Sequence, residues 1–220
     1  MSKKKPYIPF TDRFMDKLET MTEEYGEDDC SPKTRTKHIG VELEFISPEG
    51  QTFIAGHLLM AGIDEGVIVK LDGSINAGGK YGIEVCIIAT QKKIAAKIIT
   101  VCTKLKELGC TVNDSCGLHV HLDMRSRTPS TAYRNLVAEL PELTKMVEPS
   151  RLRNTYCKLN EDKELNNRYH SDRYYAINPC SLEEHDTLEV RLHEGSLDEM
   201  KINNWITTLV KVADKKKKVG

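Results

Sequence analysis

The sequence has no stretch of about 18 consecutive apolar residues, so nothing in it reads as a transmembrane helix. It has almost no net charge: 32 Lys and Arg stand against 33 Asp and Glu, for −1 at pH 7. No overall field therefore draws the chain to nucleic acid or to an anionic membrane. The opening MSKKKPYIPF lacks the apolar run that follows the lysines of a signal peptide, and a cytoplasmic location is expected. The seven cysteines include no CxxC pair. An odd number without an export signal implies free thiols in a reducing compartment. Cys86 and Cys102, in apolar periodic runs, are expected as small core residues. There is no GxxxxGK[ST] loop, which excludes a P-loop, and the glycine-rich DGSINAGGKYG matches no nucleotide fingerprint. No repeat is visible. The lysine runs at 3–5 and 215–218 read as solvated tails.

What is present suffices for one sizeable core, with 220 residues of which 39% are hydrophobic and 30% charged. Phe10, Phe14, Leu18 and Met21 have helical spacing across 9–25. A polar connector, GEDDCSPKTRTK, leads to a strand, HIGVELEFIS, closed by Pro48. Further strands are expected at 67–71, 82–88, 117–122, 173–177 and 187–193. Helices are expected at 53–63, 92–108 (ended by Gly109), near 130–146, and at 197–213 with Ser196 and Glu199 as a capping box. The section 148–172 is polar and irregular. The strands alternate rather than running as continuous apolar blocks, so the expected fold class is α+β, a mostly antiparallel sheet with helices on one face. The expected division is an N-terminal helix and connector over 1–37, a catalytic domain over 38–213 and a basic tail over 214–220.

Four of these strands carry the same pattern. Side chains alternate faces along a strand. GVELEF puts Glu42 and Glu44 opposite Val41, Leu43 and Phe45, and GIEVCI puts Glu84 opposite Ile83 and Val85. GLHVHL puts His119 and His121 opposite Leu118, Val120 and Leu122; TLEVRLH puts Glu189, Arg191 and His193 opposite Leu188, Val190 and Leu192. One such strand is an ordinary half-buried strand with a wet face. Four glutamates, two imidazoles and one arginine at strand centres are another matter. Carboxylates so crowded must protonate or hold cations. Hard divalent ions with oxygen ligands fit, and neutral imidazole completes the shell, which points to Mg²⁺ or Mn²⁺. Zinc ranks lower because the cysteines lack ligand spacing. A purely structural polar face is the other reading. Magnesium held by carboxylates commonly meets phosphate, which arginine binds bidentately. The candidates are Arg151, Arg153, Arg168, Arg173 and Arg191; Arg153 and Arg168 read individually as exposed and solubilising.

The ordered set GVELEF, DGS, GIEV, SCGLHVHLD, PSR, RYYAIN and TLEVRLHEGSLD, spanning about 38–210, resembles the amidoligase family. That family is related to glutamate–cysteine ligase and glutamine synthetase. The resemblance implies their antiparallel sheet, with metal ions and ATP on its inner face, and an ATP- and Mg²⁺-dependent carboxylate–amine ligase working through an acyl phosphate. It places Glu42, Glu44, Glu84, His119 and Glu189 on metal. His121, Arg173 and Arg191 then meet the nucleotide, and Arg191, Asp72 and Arg151 act on substrate or phosphate. One departure is Cys86-Ile87, where relatives commonly carry Ser-Pro. The implied partners are a carboxylate and an amine (amino acid, peptide or protein side chain), and the implied setting is phage or mobile-element encoded. A phosphotransferase or metal-dependent hydrolase on the same fold, or a phage interaction protein without catalysis, stand as alternatives.

Overall fold

The computed structural model describes residues 12–22, 37–161, 165 and 172–216. Helix α1 (Asp12–Thr22) precedes strand β1 (His38–Ser47), helix α2 (Gln51–Met60) and strands β2 (Val67–Leu71) and β3 (Tyr81–Thr90). Helix α3 (Ile94–Glu107), strand β4 (Gly117–Asp123) and helix α4 (Pro129–Leu143) follow. Short 3₁₀ turns then lead to strand β5 (Ile177–Asn178), helix α5 (Ser181–His185), strand β6 (Thr187–Glu194) and helix α6 (Glu199–Ala213). The six strands form one sheet in the order β2-β3-β1-β4-β6-β5, with every neighbour antiparallel. The class is α+β.

Period-2 alternation sets the faces of this sheet. Val41, Leu43, Phe45, Ile83, Val85, Leu118, Val120, Leu188 and Val190 are all buried in one core with the helices. Each long helix carries a matching stripe: Ile94, Ile98, Val101, Cys102 and Leu105 on α3, and Ile202, Trp205, Ile206 and Leu209 on α6. Burying one such side chain contributes roughly 1.5–3 kcal/mol. Helix α2 is buried on several sides, between α1, α3 and β2, which explains its nearly unbroken apolar run Ile54–Leu59. Gly109, at φ 77°, ends α3 in the left-handed conformation, and Cys110 N donates back to Leu105 O. The apolar faces being spent on the helices, the polar strand faces are left on the other side.

Several local expectations are corrected. Of the expected 173–177 strand only Ile177 belongs to β5, which pairs with β6 and runs one residue further, to Asn178; Tyr175 forms an isolated parallel bridge with Lys158. The N-cap of α6 is Asp198, whose Oδ1 accepts from Met200 N and Lys201 N, while Glu199 reaches to Lys106. Asp198→Ala should therefore cost about 1 kcal/mol in a urea unfolding midpoint and Ser196→Ala less. Cys102 is in the core, but Cys86 registers with Glu42 and shares its face. A β-bulge between Leu118 and Val120 sets two residues of β6 against His119. His193 thereby comes opposite Leu118, on the core side, where its ring packs against Trp205 at 5.1 Å. Residues 9–11 and 23–25 of the expected first helix, and Arg168, lie outside the described residues.

Candidate metal and substrate site

Register decides which polar side chains meet. Glu44 stands directly opposite Glu84 across β1 and β3, Glu42 opposite His119 across β1 and β4, and His121 opposite Glu189 across β4 and β6. Opposed residues of an antiparallel pair share a face with Cβ atoms about 4.5–5.5 Å apart. The six side chains therefore form the floor of a cavity of about 450 Å³. Asp72 and Ser74, from the turn after β2, stand at one end. Arg173, Asn178 and Arg191 stand at the other, with Cys180, Ser181, Glu184 and His185 of the α5 segment.

The floor is densely bonded. His119 Nδ1 donates to Glu42 Oε2 at 2.8 Å, and its Nε2 lies 3.5 Å from Glu44 Oε1. His121 Nε2 reaches Glu42 Oε1 at 3.1 Å, and its Nδ1 lies 3.0 Å from Thr187 Oγ1. Glu44 Oε2 accepts from the backbone N–H of Gly117 at 2.6 Å. Glu189, 4% exposed, accepts from Asn178 Nδ2 at 2.6 Å and from Arg191. Cys86 Sγ donates to Glu84 Oε1 at 3.1 Å. Burial, then the charges of Glu84 and Glu42, raise that thiol well above its usual range, so it stays protonated.

Protonation shows how the protein's own groups relieve the crowding. Burial, then the charge of Glu42, pushes Glu84 up to about 7. Burial opposes a proton on His121, but Glu42 beside it wins and lifts the imidazole to about 9; at His119 burial and the charge of Arg191 oppose the proton, and Glu42 and Glu189 outweigh them to raise it. Glu42 resists burial because both imidazoles hold it well below the usual carboxylate range. Protons on His119, His121 and Glu84 thus stand where cations would stand. Any divalent ion entering must displace them, so affinity should climb with pH.

Three donor groups overlap on this floor. Glu42, Glu84 and His119 each offer one atom within 4.8 Å of the others; so do Glu42, His121 and Glu189, and Glu44, Asp72 and Glu84. Two groups combine carboxylates with one imidazole and the third is all oxygen, a donor chemistry suited to Mg²⁺ or Mn²⁺.

Of the residues singled out in the sequence, Glu42, Glu44, Asp72, Glu84, His119, His121, Arg173, Glu189 and Arg191 all line this one cavity. Arg151 does not. It is 4% exposed, and its Nη2 donates to Arg191 O at 2.9 Å, bracing the strand that carries Arg191. Ser74, Ser181, Glu184 and His185 escape a strand-pattern reading because they sit on a turn and on α5, and Asn178 because it lies just past the expected strand, at the end of the two-residue β5. Asn178 left one trace, a lone amide at the end of an apolar run. Asp186, at φ 53°, folds α5 back over β6. Lys70, registered with Glu84 from β2, is a cation beside the carboxylates that the strand pattern did not single out.

Residues 134–213 match the family model described as putative amidoligase enzyme. The chain is amidoligase-like over that stretch. The match runs from α4 through α6, carrying Arg151, Arg173, Glu189 and Arg191 of the amidoligase-like set, while the candidate donors of β1, β3 and β4 lie ahead of it. No curated protein matches the chain. Among the described residues no helix is long and apolar enough to cross a membrane.

Proposed function

We propose that this protein is an ATP-dependent carboxylate–amine ligase with the sheet architecture of glutamine synthetase and glutamate–cysteine ligase, working with Mg²⁺ or Mn²⁺. The observation that carries the reading is the set of three overlapping donor groups on one sheet face, with Arg173 and Arg191 on the adjoining wall. Divalent ions bound by Glu42, Glu44, Glu84, His119 and Glu189 would neutralise charge on a transferring phosphoryl group.

The chain's own residues then have distinct tasks. Arg191, fixed by Glu189 and braced through its carbonyl by Arg151, presents its guanidinium to phosphate. Arg173 and His121 contact the nucleotide's phosphates. A substrate carboxylate oxygen attacks the γ-phosphorus and ADP departs with the electrons of the broken P–O bond. The amine nitrogen next attacks the acyl carbon, inorganic phosphate leaves, and one amine proton passes to a base. We assign that base to Asp72, whose Oδ1 is oriented by Ser74 N and Oγ at 2.8 and 2.6 Å. Holding two anions in line supplies much of the barrier reduction.

The test has two parts. Saturating Mg²⁺ at about one hundred times its Kd should add roughly 2.7 kcal/mol of stability. For a chain of this size that is about 5–10 °C in Tm. A panel of carboxylates and amines with Mg²⁺ and ATP should yield a condensation product by mass spectrometry, with ADP and phosphate formed only when both substrates are present. ADP formed with the amine omitted, its phosphoryl group retained on the substrate, would favour simple phosphotransfer, and cleavage of a substrate without ATP would favour hydrolysis.

A further inference from the structure

Two glycines lie under the imidazoles of the floor. Gly40 of β1 registers directly with His121, and a Cβ on it would meet His121 Cβ at 3.1 Å and Cγ at 3.6 Å. Gly117 of β4 is two residues before His119 on the same strand, and so on the same face. A Cβ there would lie 2.8 Å from His119 Nε2 and 3.3 Å from both Glu44 Oε2 and Arg151 Nη2. Neither glycine has the positive φ that would by itself demand glycine. Backbone freedom is therefore not the reason for either; space is.

We infer that Gly117, and to a lesser degree Gly40, are positioning residues: by carrying no side chain they let the two imidazoles lie down on the sheet and meet the glutamates of β1. Gly117 acts twice. Its N–H holds Glu44 Oε2 at 2.6 Å, and its empty Cβ position admits His119 Nε2 to 3.5 Å from the other oxygen of the same carboxylate. The ring cannot swing away from a methyl group, because its Nδ1 is held by Glu42 at 2.8 Å and the side chain is only 4% exposed. An added methyl must lift His119 off Glu44 or push Glu44 from the Gly117 amide. At Gly40 the approach is 3.1 Å, where a shift of a few tenths of an ångström suffices.

This deepens the metal-site reading and rests on it for one of its two readouts. The experiment compares wild type, Gly117→Ala and Gly40→Ala by Mn²⁺ titration, following free Mn²⁺ by electron paramagnetic resonance. It also compares them by ¹H–¹⁵N correlation spectra of the histidine rings without metal. Gly117→Ala should weaken Mn²⁺ binding at least about tenfold, the scale of groups that orient ligands without being ligands. Its His119 ring nitrogen signals should move, while those of His57 and His193, packed in the core, stay in place. Gly40→Ala should move the His121 signals and weaken Mn²⁺ less. Wild-type Mn²⁺ affinity together with unshifted His119 signals in Gly117→Ala would overturn the inference. If wild type binds no Mn²⁺ the metal reading fails, and the ring spectra alone decide the positioning. If Gly117→Ala does not fold, the His121 signals of Gly40→Ala decide it.

Discussion

Metal-free Glu84→Gln should be more stable than wild type at pH 9, by about 3 kcal/mol, and equally stable at pH 4. The sign follows from where the proton sits. Burial and Glu42 raise the folded-state value of Glu84 to about 7, against 4.5 for the free side chain. Folding therefore favours the protonated acid. Its contribution is fully present below pH 4.5 and is lost as pH rises through 7. Glutamine mimics the protonated form at every pH, and its carbonyl can still accept from Cys86. The difference of about 2.5 units, at 1.36 kcal/mol each, sets the size. Chelator-treated protein unfolded in urea at pH 4 and pH 9 provides the check. The same variant should lose most of the stabilisation by Mg²⁺, because Glu84 belongs to two of the three donor groups. A variant more stable alone yet no longer stabilised by metal is the signature of a carboxylate kept for binding. Equal stability at both pH values would mean that Glu84 is solvated and that the crowding is not real.

Crowding is the part of the site that was legible in the sequence, and the reason is geometric. Alternation with period 2 fixes faces without any knowledge of neighbours, so the placement of Glu42 and Glu44 opposite Leu43 could be read directly. Which strands adjoin is a matter of long-range pairing, and it had to be assumed; the order β3-β1-β4-β6 supplies it. Where pairing departs from regularity the reading fails. The bulge beside His119 carries His193 to the core side, although TLEVRLH alternates without interruption. Cys86 looked like core because it sits in an apolar run, yet its register with Glu42 puts it on the polar face. Ser196 and Glu199 satisfy the capping-box spacing, but Asp198 occupies the cap. Arg151 illustrates another limit. Its motif position suggested a substrate contact, and only the packing shows its Nη2 on the carbonyl of Arg191. The wall formed by α5 has no period at all, and nothing in SLEEH announces that it closes over a cavity.

Glu189→Ala should abolish Mg²⁺-dependent ADP formation and also destabilise the protein by about 3–5 kcal/mol, because Arg191 would be left charged and unpaired in a largely buried setting. Both consequences come from one side chain: Glu189 accepts from Asn178 through Oε2 and from Arg191 through Oε1, and the same Oε1 lies 3.5 Å from His119 Nδ1. A loss of turnover in the single variant could therefore reflect a damaged fold. The double variant Glu189→Met/Arg191→Met separates the two. Replacing a buried ion pair by apolar groups of similar volume is often neutral or stabilising, so most of the lost stability should return while ADP formation stays absent. Glu44→Ala gives an independent reading at the other end of the floor. It strands the Gly117 amide, a cost of about 1–3 kcal/mol, and takes away the carboxylate 3.5 Å from His119 Nε2, yet should abolish turnover just as completely. Full turnover in Glu44→Ala or Glu189→Ala would remove that residue from the ligand set. A double variant that regained turnover along with stability would show that the Glu189–Arg191 pair serves the fold alone.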